Sequence, residues 1–192
     1  MAEPTVTVTR RGADRFTAGH PWIYRSDLAS DPRLPGGEVV RVLDQRGWYR
    51  GRAFYSSKSQ IALRLLTRED EPCDRAFFQR RLEAARALRL TTFGDADAWR
   101  LSHGEADLLP GLVVDRYGDY LSVQLLSQGA EARRELFRDV LQDLFQPKGI
   151  VERSDAKVRL LEGLDQKKGV LAGEVPDRVE YHEGPVRLLV DL

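Results

Sequence analysis

The run Leu101-Ser102-His103-Gly104-Glu105-Ala106-Asp107-Leu108-Leu109-Pro110-Gly111-Leu112-Val113-Val114-Asp115-Arg116-Tyr117-Gly118-Asp119 decides how the second half of this chain is read. Trp99 to His103 and Leu112 to Asp115 are strand-like, and a polar loop with Pro110-Gly111 separates them. Arg116-Tyr117-Gly118-Asp119 is a hairpin turn candidate, and Tyr120 to Leu126 is its return strand. A single helix is expected over Ala130 to Phe145. Leu136, Val140 and Leu144 form one apolar row there, Phe137, Leu141 and Phe145 form the next, and Pro147 stops it. Ile150 to Arg153 reads as a short strand, and Val179 to Tyr181 with Val186 to Val190 reads as a last pair across Glu183-Gly184-Pro185. The order strand, strand, helix, strand, strand predicts an α+β layer over residues 95–192.

Upstream, the pattern changes. Thr5 to Val8 alternates as an edge strand does, Arg10 to Ala18 suits one short helix, and Gly19-His20-Pro21 breaks it. Trp22-Ile23-Tyr24, Glu38 to Leu43, Trp48 to Tyr55 and Ile61 to Leu66 are short strands separated by turns. That spacing predicts a small β-barrel over residues 1–70. Asp74 can cap a linker helix in residues 71–94, with Phe78, Leu82, Ala85 and Leu88 facing inward and Arg75, Arg81, Arg86 and Arg89 facing out.

The formal net charge of zero hides an asymmetry. Residues 1–68 hold 12 Lys/Arg against 6 Asp/Glu, a net of +6, and the remainder is correspondingly acidic. Most of the cations are arginine, whose planar fork suits phosphates and base edges. Arginine-rich, asparagine-free composition also follows from GC-rich coding, which leaves the frontal clustering unexplained. The single cysteine, Cys73, excludes an intramolecular disulfide and a multi-cysteine metal site, and fits a cytoplasmic protein. No apolar run is long enough to span a bilayer, so no membrane partner is expected.

Arg10, Arg11 and Arg15 fall on or beside the first helix, and Gly19, His20, Trp22, Tyr24 and Arg25 follow closely. Lys58 lies on a serine-rich turn and Arg64 on the next strand. Cations beside flat rings hold RNA by neutralising phosphates and stacking on unpaired bases. The competing reading makes Trp22 and Tyr24 barrel core and the arginines ordinary solvated surface. His103, Glu105 and Asp107 suggest acid–base or metal chemistry, although the spacing is not that of a helical zinc motif, so a small hydrolase stays open as a rival. Cys73 sits among Glu69, Asp70, Glu71 and Asp74, which oppose a thiolate. No strand is followed by a glycine-rich turn opening a helix, so no dinucleotide or S-adenosylmethionine loop is visible and no catalytic or metal residue is assigned.

Gly19-His20-Pro21-Trp22-Ile23-Tyr24, followed by Gly51, Tyr55, Ser59 and Arg64, resembles the PUA domain at the front of the large-subunit ribosomal RNA methyltransferase I family. The stretch from Leu101 to Asp119 is similar to the opening of that family's central strand-strand-helix-strand-strand domain, and Arg153-Ser154-Asp155, Arg159 and Glu162-Gly163-Leu164 fit its pattern. The resemblance implies transfer of a methyl group from S-adenosylmethionine to cytosine C5 of 23S-type ribosomal RNA. The cofactor site and catalytic cysteine would lie in a C-terminal domain absent from these residues, so the stretch is expected to be a fragment that binds without methylating. Its partners would be ribosomal RNA and that missing domain, with a homodimer as another use of the docking face. Glu105, Asp107, Arg153 and Asp155 are the residues expected to line a substrate cleft. The resemblance also implies glycine at position 108, where this chain has leucine. A free-standing RNA-binding or adaptor protein without catalysis is the alternative.

Overall fold

The computed structural model describes residues 3–94 and 96–192; the expected domain limits at positions 1 and 95 lie outside the described residues. Five strands form the first sheet: β1 (Thr5–Val8), β2 (Trp22–Tyr24), β3 (Val39–Asp44), β4 (Tyr49–Tyr55) and β5 (Ile61–Thr67). Their spatial order is β1-β3-β4-β5-β2, with β1 parallel to β3 and the other pairs antiparallel. Helix α1 (Arg10–Thr17) closes the curl, capped by Thr9, whose hydroxyl accepts from the Gly12 amide at 3.3 Å. Alternation along the strands aims Val6, Val8, Val40, Val42 and Leu63 inward, where they bury Ala13 and Phe16 of the helix.

The second sheet contains β6 (Ala98–His103), β7 (Leu112–Tyr117), β8 (Tyr120–Leu125), β9 (Gly149–Ser154) and β10 (Lys167–Gly173), in the order β10-β9-β8-β7-β6. Helices α2 (Arg75–Phe93), α3 (Gln128–Glu131) and α4 (Arg134–Phe145) precede or connect its strands, and α3 and α4 form the crossover between the parallel strands β8 and β9. A short helix, α5 (Val158–Leu161), precedes β10. A separate antiparallel hairpin, β11 (Arg178–Glu183) and β12 (Val186–Asp191), completes the described chain.

This α+β architecture differs from the expected element order in particulars. Three strands precede the crossover, matching the three segments read there singly and not the two of the strand, strand, helix, strand, strand order, and the expected last pair forms the separate hairpin. Strand β10 went unread because its residues are mostly exposed and two glycines interrupt it. The expected helix over 130–145 is two helices: the Ser127 side chain accepts from the Ala130 amide to start α3, and the chain turns at Ala132–Arg133 before α4. Helix α2 is no free linker, since Phe77, Phe78, Leu82 and Ala85 are buried in the second core. Leu88 is exposed instead of inward, and Arg89 is turned in to bind Asp107.

The two sheets share a core. Phe54 of β4 and Leu66 of β5 point out of the barrel and pack with Phe78, Leu112 and Phe137. The Phe54 and Phe78 rings lie 6.0 Å apart nearly parallel, and Phe137 meets Phe78 edge-on at 5.3 Å. Gly129 of α3 abuts Phe54 so closely that an added Cβ would fall 2.1 Å from its ring, so only glycine admits this approach.

Candidate nucleic-acid interface

Helix α1 carries its cations on two faces. Arg11 and Arg15, one turn apart, both reach Asp27, whose carboxylate is fully buried. Arg15 pairs with it at 3.1 Å, Arg11 pairs with it through Nε, and Arg11 also donates to Ser26 Oγ at 3.2 Å. Gly12 permits this docking: a Cβ there would meet the Asp27 carbonyl at 2.9 Å. Two guanidinium groups on one carboxylate leave an excess positive charge at the surface. Arg15 also lies 5.2 Å from the centre of the Tyr24 ring. Arg10, on the other face, is 93% exposed and only loosely paired with Asp14 at 3.9 Å.

Gly19 ends the helix turn at φ 90°, and His20 follows. Its Nδ1 accepts from the Trp22 amide at 3.1 Å, and its ring sits 6.1 Å from Trp22 and 6.4 Å from Tyr24. Thus Arg11, Arg15, His20 and Tyr24 form one local surface, as their sequence proximity suggested.

Three other expected RNA contacts are placed differently. Arg25 is folded against the barrel, donating to the carbonyls of Ser56 at 2.6 Å and Ser59 at 3.1 Å, and pairing with Asp31 at 2.8 Å. Arg64 is buried at the junction of the two sheets, where it binds Glu105 at 3.0 Å and Glu162 at 2.8 Å. Trp22 joins the same junction, donating from Nε1 to Glu105 at 2.7 Å with the Arg64 guanidinium 5.7 Å from its ring. Lys58 remains exposed on its turn beside Gly163.

The four residues expected in one cleft are not brought together. Arg153 and Asp155 line a cleft of about 460 Å³ on the face of the second sheet away from α2 and α4, with Asp115, Tyr117, Ser122 and Gln124. Lys168 lies opposite Arg153 in register. The Asp155 carboxyl is held below its ordinary value by its own backbone amide and by Arg153 and Lys168, against a smaller effect of burial. Glu105 belongs to a separate cavity of about 240 Å³ at the junction, with Trp22, Arg64 and His103. Asp107 is occupied on both oxygens by Arg89 and also accepts from the His103 amide at 2.7 Å. The hydrolase reading needs Glu105 and Asp107 directed at a common substrate, and these ion pairs hold them apart. No group of three metal-capable side chains occurs among the described residues. Sequence reasoning missed Asp115, Tyr117, Ser122 and Gln124; strict alternation along β7 and β8 was the available signal.

A PUA-like domain model matches residues 6–68, which are the first sheet and its helix. The class is therefore a PUA-like barrel joined to an α+β sheet. The chain is 43% identical over 179 residues to ribosomal RNA large subunit methyltransferase I of Tolumonas auensis, covering 90% of this chain and 45% of that protein. The protein of the same name from Vibrio cholerae is 41% identical over the same shares of each. The chain is thus similar to proteins named ribosomal RNA large subunit methyltransferase I over nine-tenths of its own residues, and it spans about 45% of the length of these relatives. Its fold is that of a Streptococcus mutans protein described as a SAM-dependent methyltransferase, with a TM-score of 0.81 at 16% identity over 98% of this chain and 48% of that one. A protein described as a methyltransferase and solved in complex with SAH superposes with a TM-score of 0.82 at 17% identity, over 98% of this chain and 48% of that one.

Proposed function

We propose that this chain is the RNA-binding part of an S-adenosylmethionine-dependent ribosomal RNA methyltransferase acting on cytosine C5. The observation that carries the reading is the Arg11–Asp27–Arg15 set beside Tyr24, within the residues that match the PUA-like domain. It supplies a fixed excess cation next to an aromatic face, which suits a phosphate followed by a base. The shared core and the Arg64 junction make the barrel and the second sheet one platform, so RNA held at α1 has a defined position relative to the polar cleft at Asp115, Arg153 and Asp155. That cleft face is where the methyl-transferring part of the protein would dock.

The turns leading from β1, β5, β8 and β9 into α1, α2, α3 and α5 hold no glycine ahead of the helix. Gly129, inside α3, is filled by Phe54. These residues do not fit an adenosyl cofactor, and we derive no methyl-transfer step from them. No helix of the described residues is long and apolar enough to cross a membrane.

Titration of the chain with a ribosomal RNA fragment at stepped salt concentrations tests the reading. Affinity should fall steadily with salt. Arg11→Gln leaves Asp27 paired with Arg15, and it should reduce the salt slope by about one contact. Absent binding, or salt-independent binding, sinks the proposal.

A further inference from the structure

The β3–β4 connection is a built turn that holds an indole in solvent. Asp44 is buried at the end of β3 and accepts from the backbone amides of Arg46 at 2.8 Å and Trp48 at 3.0 Å. Its other oxygen takes Arg50 Nη2 at 2.5 Å and Nε at 3.2 Å. The Asp44 and Trp48 backbones pair at 2.9 Å, and Gly47, at φ 81°, supplies the left-handed residue of a three-residue hairpin loop. Burial works to raise the Asp44 carboxyl, but Arg50 and the two amides outweigh it and hold it below its ordinary value. The result is a fixed platform, not a loose tip.

On that platform Trp48 is 60% exposed. The Arg46 and Arg50 guanidinium groups lie 5.7 and 5.8 Å from the centre of its ring, at the outer edge of cation–π reach, so they flank the indole with positive charge while it stays largely open to solvent. Arg50 is fixed by Asp44, whereas Arg46 is exposed and has no ion pair among the described residues. Beside the turn a cavity of about 420 Å³ opens between it and α1, lined by Arg10, Asp14, Asp44, Arg46 and Arg50. Three arginines against two carboxylates leave that cavity positive, and Arg10 is nearly free in solvent.

We infer that Trp48, with Arg46 and Arg10, is a subsite for one unpaired nucleotide of a single-stranded RNA segment. The base stacks on the indole, and its phosphates lie in the arginine-lined cavity. The inference rests on the RNA-binding reading above but uses the flank of α1 that carries Arg10 and Asp14, about 100° round the helix from Arg11 and Arg15. An indole accepts any base, so the subsite adds grip and strandedness, not sequence choice.

The test measures affinity of the full chain and its variants for a short single-stranded RNA, a duplex of equal length and a free nucleoside monophosphate. Trp48→Ala should weaken single-strand binding roughly 10-fold, and Trp48→Phe should retain most of it. Arg46→Ala should weaken it a few-fold, with a shallower salt slope. Fluorescence quenching by the single strand should shrink in Trp48→Phe relative to the native chain, isolating this indole from Trp22 and Trp99. Unchanged single-strand affinity in Trp48→Ala overturns this inference while leaving the RNA-binding reading intact. Equal loss of duplex binding overturns it as a single-strand subsite, and monophosphate binding as tight as the oligonucleotide's makes it a free-nucleotide site instead. If the native chain binds no RNA, both readings fall.

Discussion

Arg64 of β5 donates to Glu162 at 2.8 Å across 98 residues of chain, and both groups are buried. The same guanidinium binds Glu105, which also accepts from Trp22. Glu162 continues the network: it accepts from the Gln128 amide at 3.2 Å, and Gln128 Oε1 accepts from the Ser57 amide at 2.8 Å. This ties the serine-rich turn of the barrel to the crossover of the second sheet. An arginine that composition marks as an RNA contact is instead a fastener between modules.

Arg64→Ala should therefore act on stability before it acts on RNA. It leaves two carboxylates without their cation, one of them fully buried, and breaking a buried pair costs about 3–5 kcal/mol. Urea denaturation should show that loss, and the double change Arg64→Ala/Glu162→Gln should recover part of it. An Arg64→Ala chain as stable as the native one, with weakened RNA binding, would return Arg64 to the interface.

Leu108 adopts φ 57° and ψ 33°, the left-handed region, at the end of the short turn over Gly104–Asp107. This explains why the resemblance implies glycine there. A branched side chain pays a steric cost in that conformation, and at 42% exposure Leu108 recovers only part of it by packing. Leu108→Gly should stabilise the chain by roughly 0.5–1 kcal/mol in thermal or urea denaturation, once the extra freedom of the unfolded glycine is deducted. A destabilised variant would mean that the apolar contacts of Leu108 outweigh its backbone strain.

The strands of the barrel were legible because each is a short apolar or alternating run bounded by glycine, proline or a polar turn, with strict alternation in Val39–Asp44 and near-continuous burial in Ile61–Thr67. Four strands of the second sheet, β6 to β9, and the helix over Arg134–Phe145 were also legible from their apolar pattern. What escaped was set by tertiary contact. The break before α4 places the Arg133 guanidinium 4.6 Å from the Phe54 ring, 79 residues earlier, and lets it donate to the Gly37 carbonyl at 2.7 Å, 96 residues earlier. The site divided likewise. Arg11, Arg15 and Tyr24 meet because they are neighbours in sequence. Arg64 and Trp22 carry the same chemistry, and only their distant carboxylates show that it is spent internally. Trp48 looked like the start of a strand, and its exposure follows from the Asp44-built turn.

Acid stability should depend on Glu131. Burial works to raise its carboxyl, but Lys167 at 2.5 Å and Arg159 at 2.9 Å outweigh it, so the folded value lies below the ordinary one. A depressed folded value stabilises the native state above the unfolded value near 4.5, and that contribution is lost as pH falls through the folded value. Glu131→Gln should lower stability at neutral pH and flatten the decline of stability in acid, because the mutant has less to lose. Parallel native and mutant stability curves from pH 6 to about pH 3 would contradict this assignment.

Cys73 should be chemically quiet. It sits half-buried just ahead of α2, and burial, aided by Glu71 and opposed by Arg52, pushes its thiol up to about 11. The sequence pointed the same way through its acidic neighbours, but desolvation is the larger cause. Only the thiolate reacts with iodoacetamide, and at pH 8 roughly a thousandth of such a thiol is ionised. Alkylation of the native chain should run at least about 100-fold slower than that of free cysteine, and rise to the free rate in denaturant. Cys73→Ser should leave RNA affinity and its salt slope unchanged, since no interface residue depends on the thiol. Rapid alkylation under native conditions would show that the segment ahead of α2 opens readily, and would place the junction between the two sheets among the weaker parts of the fold.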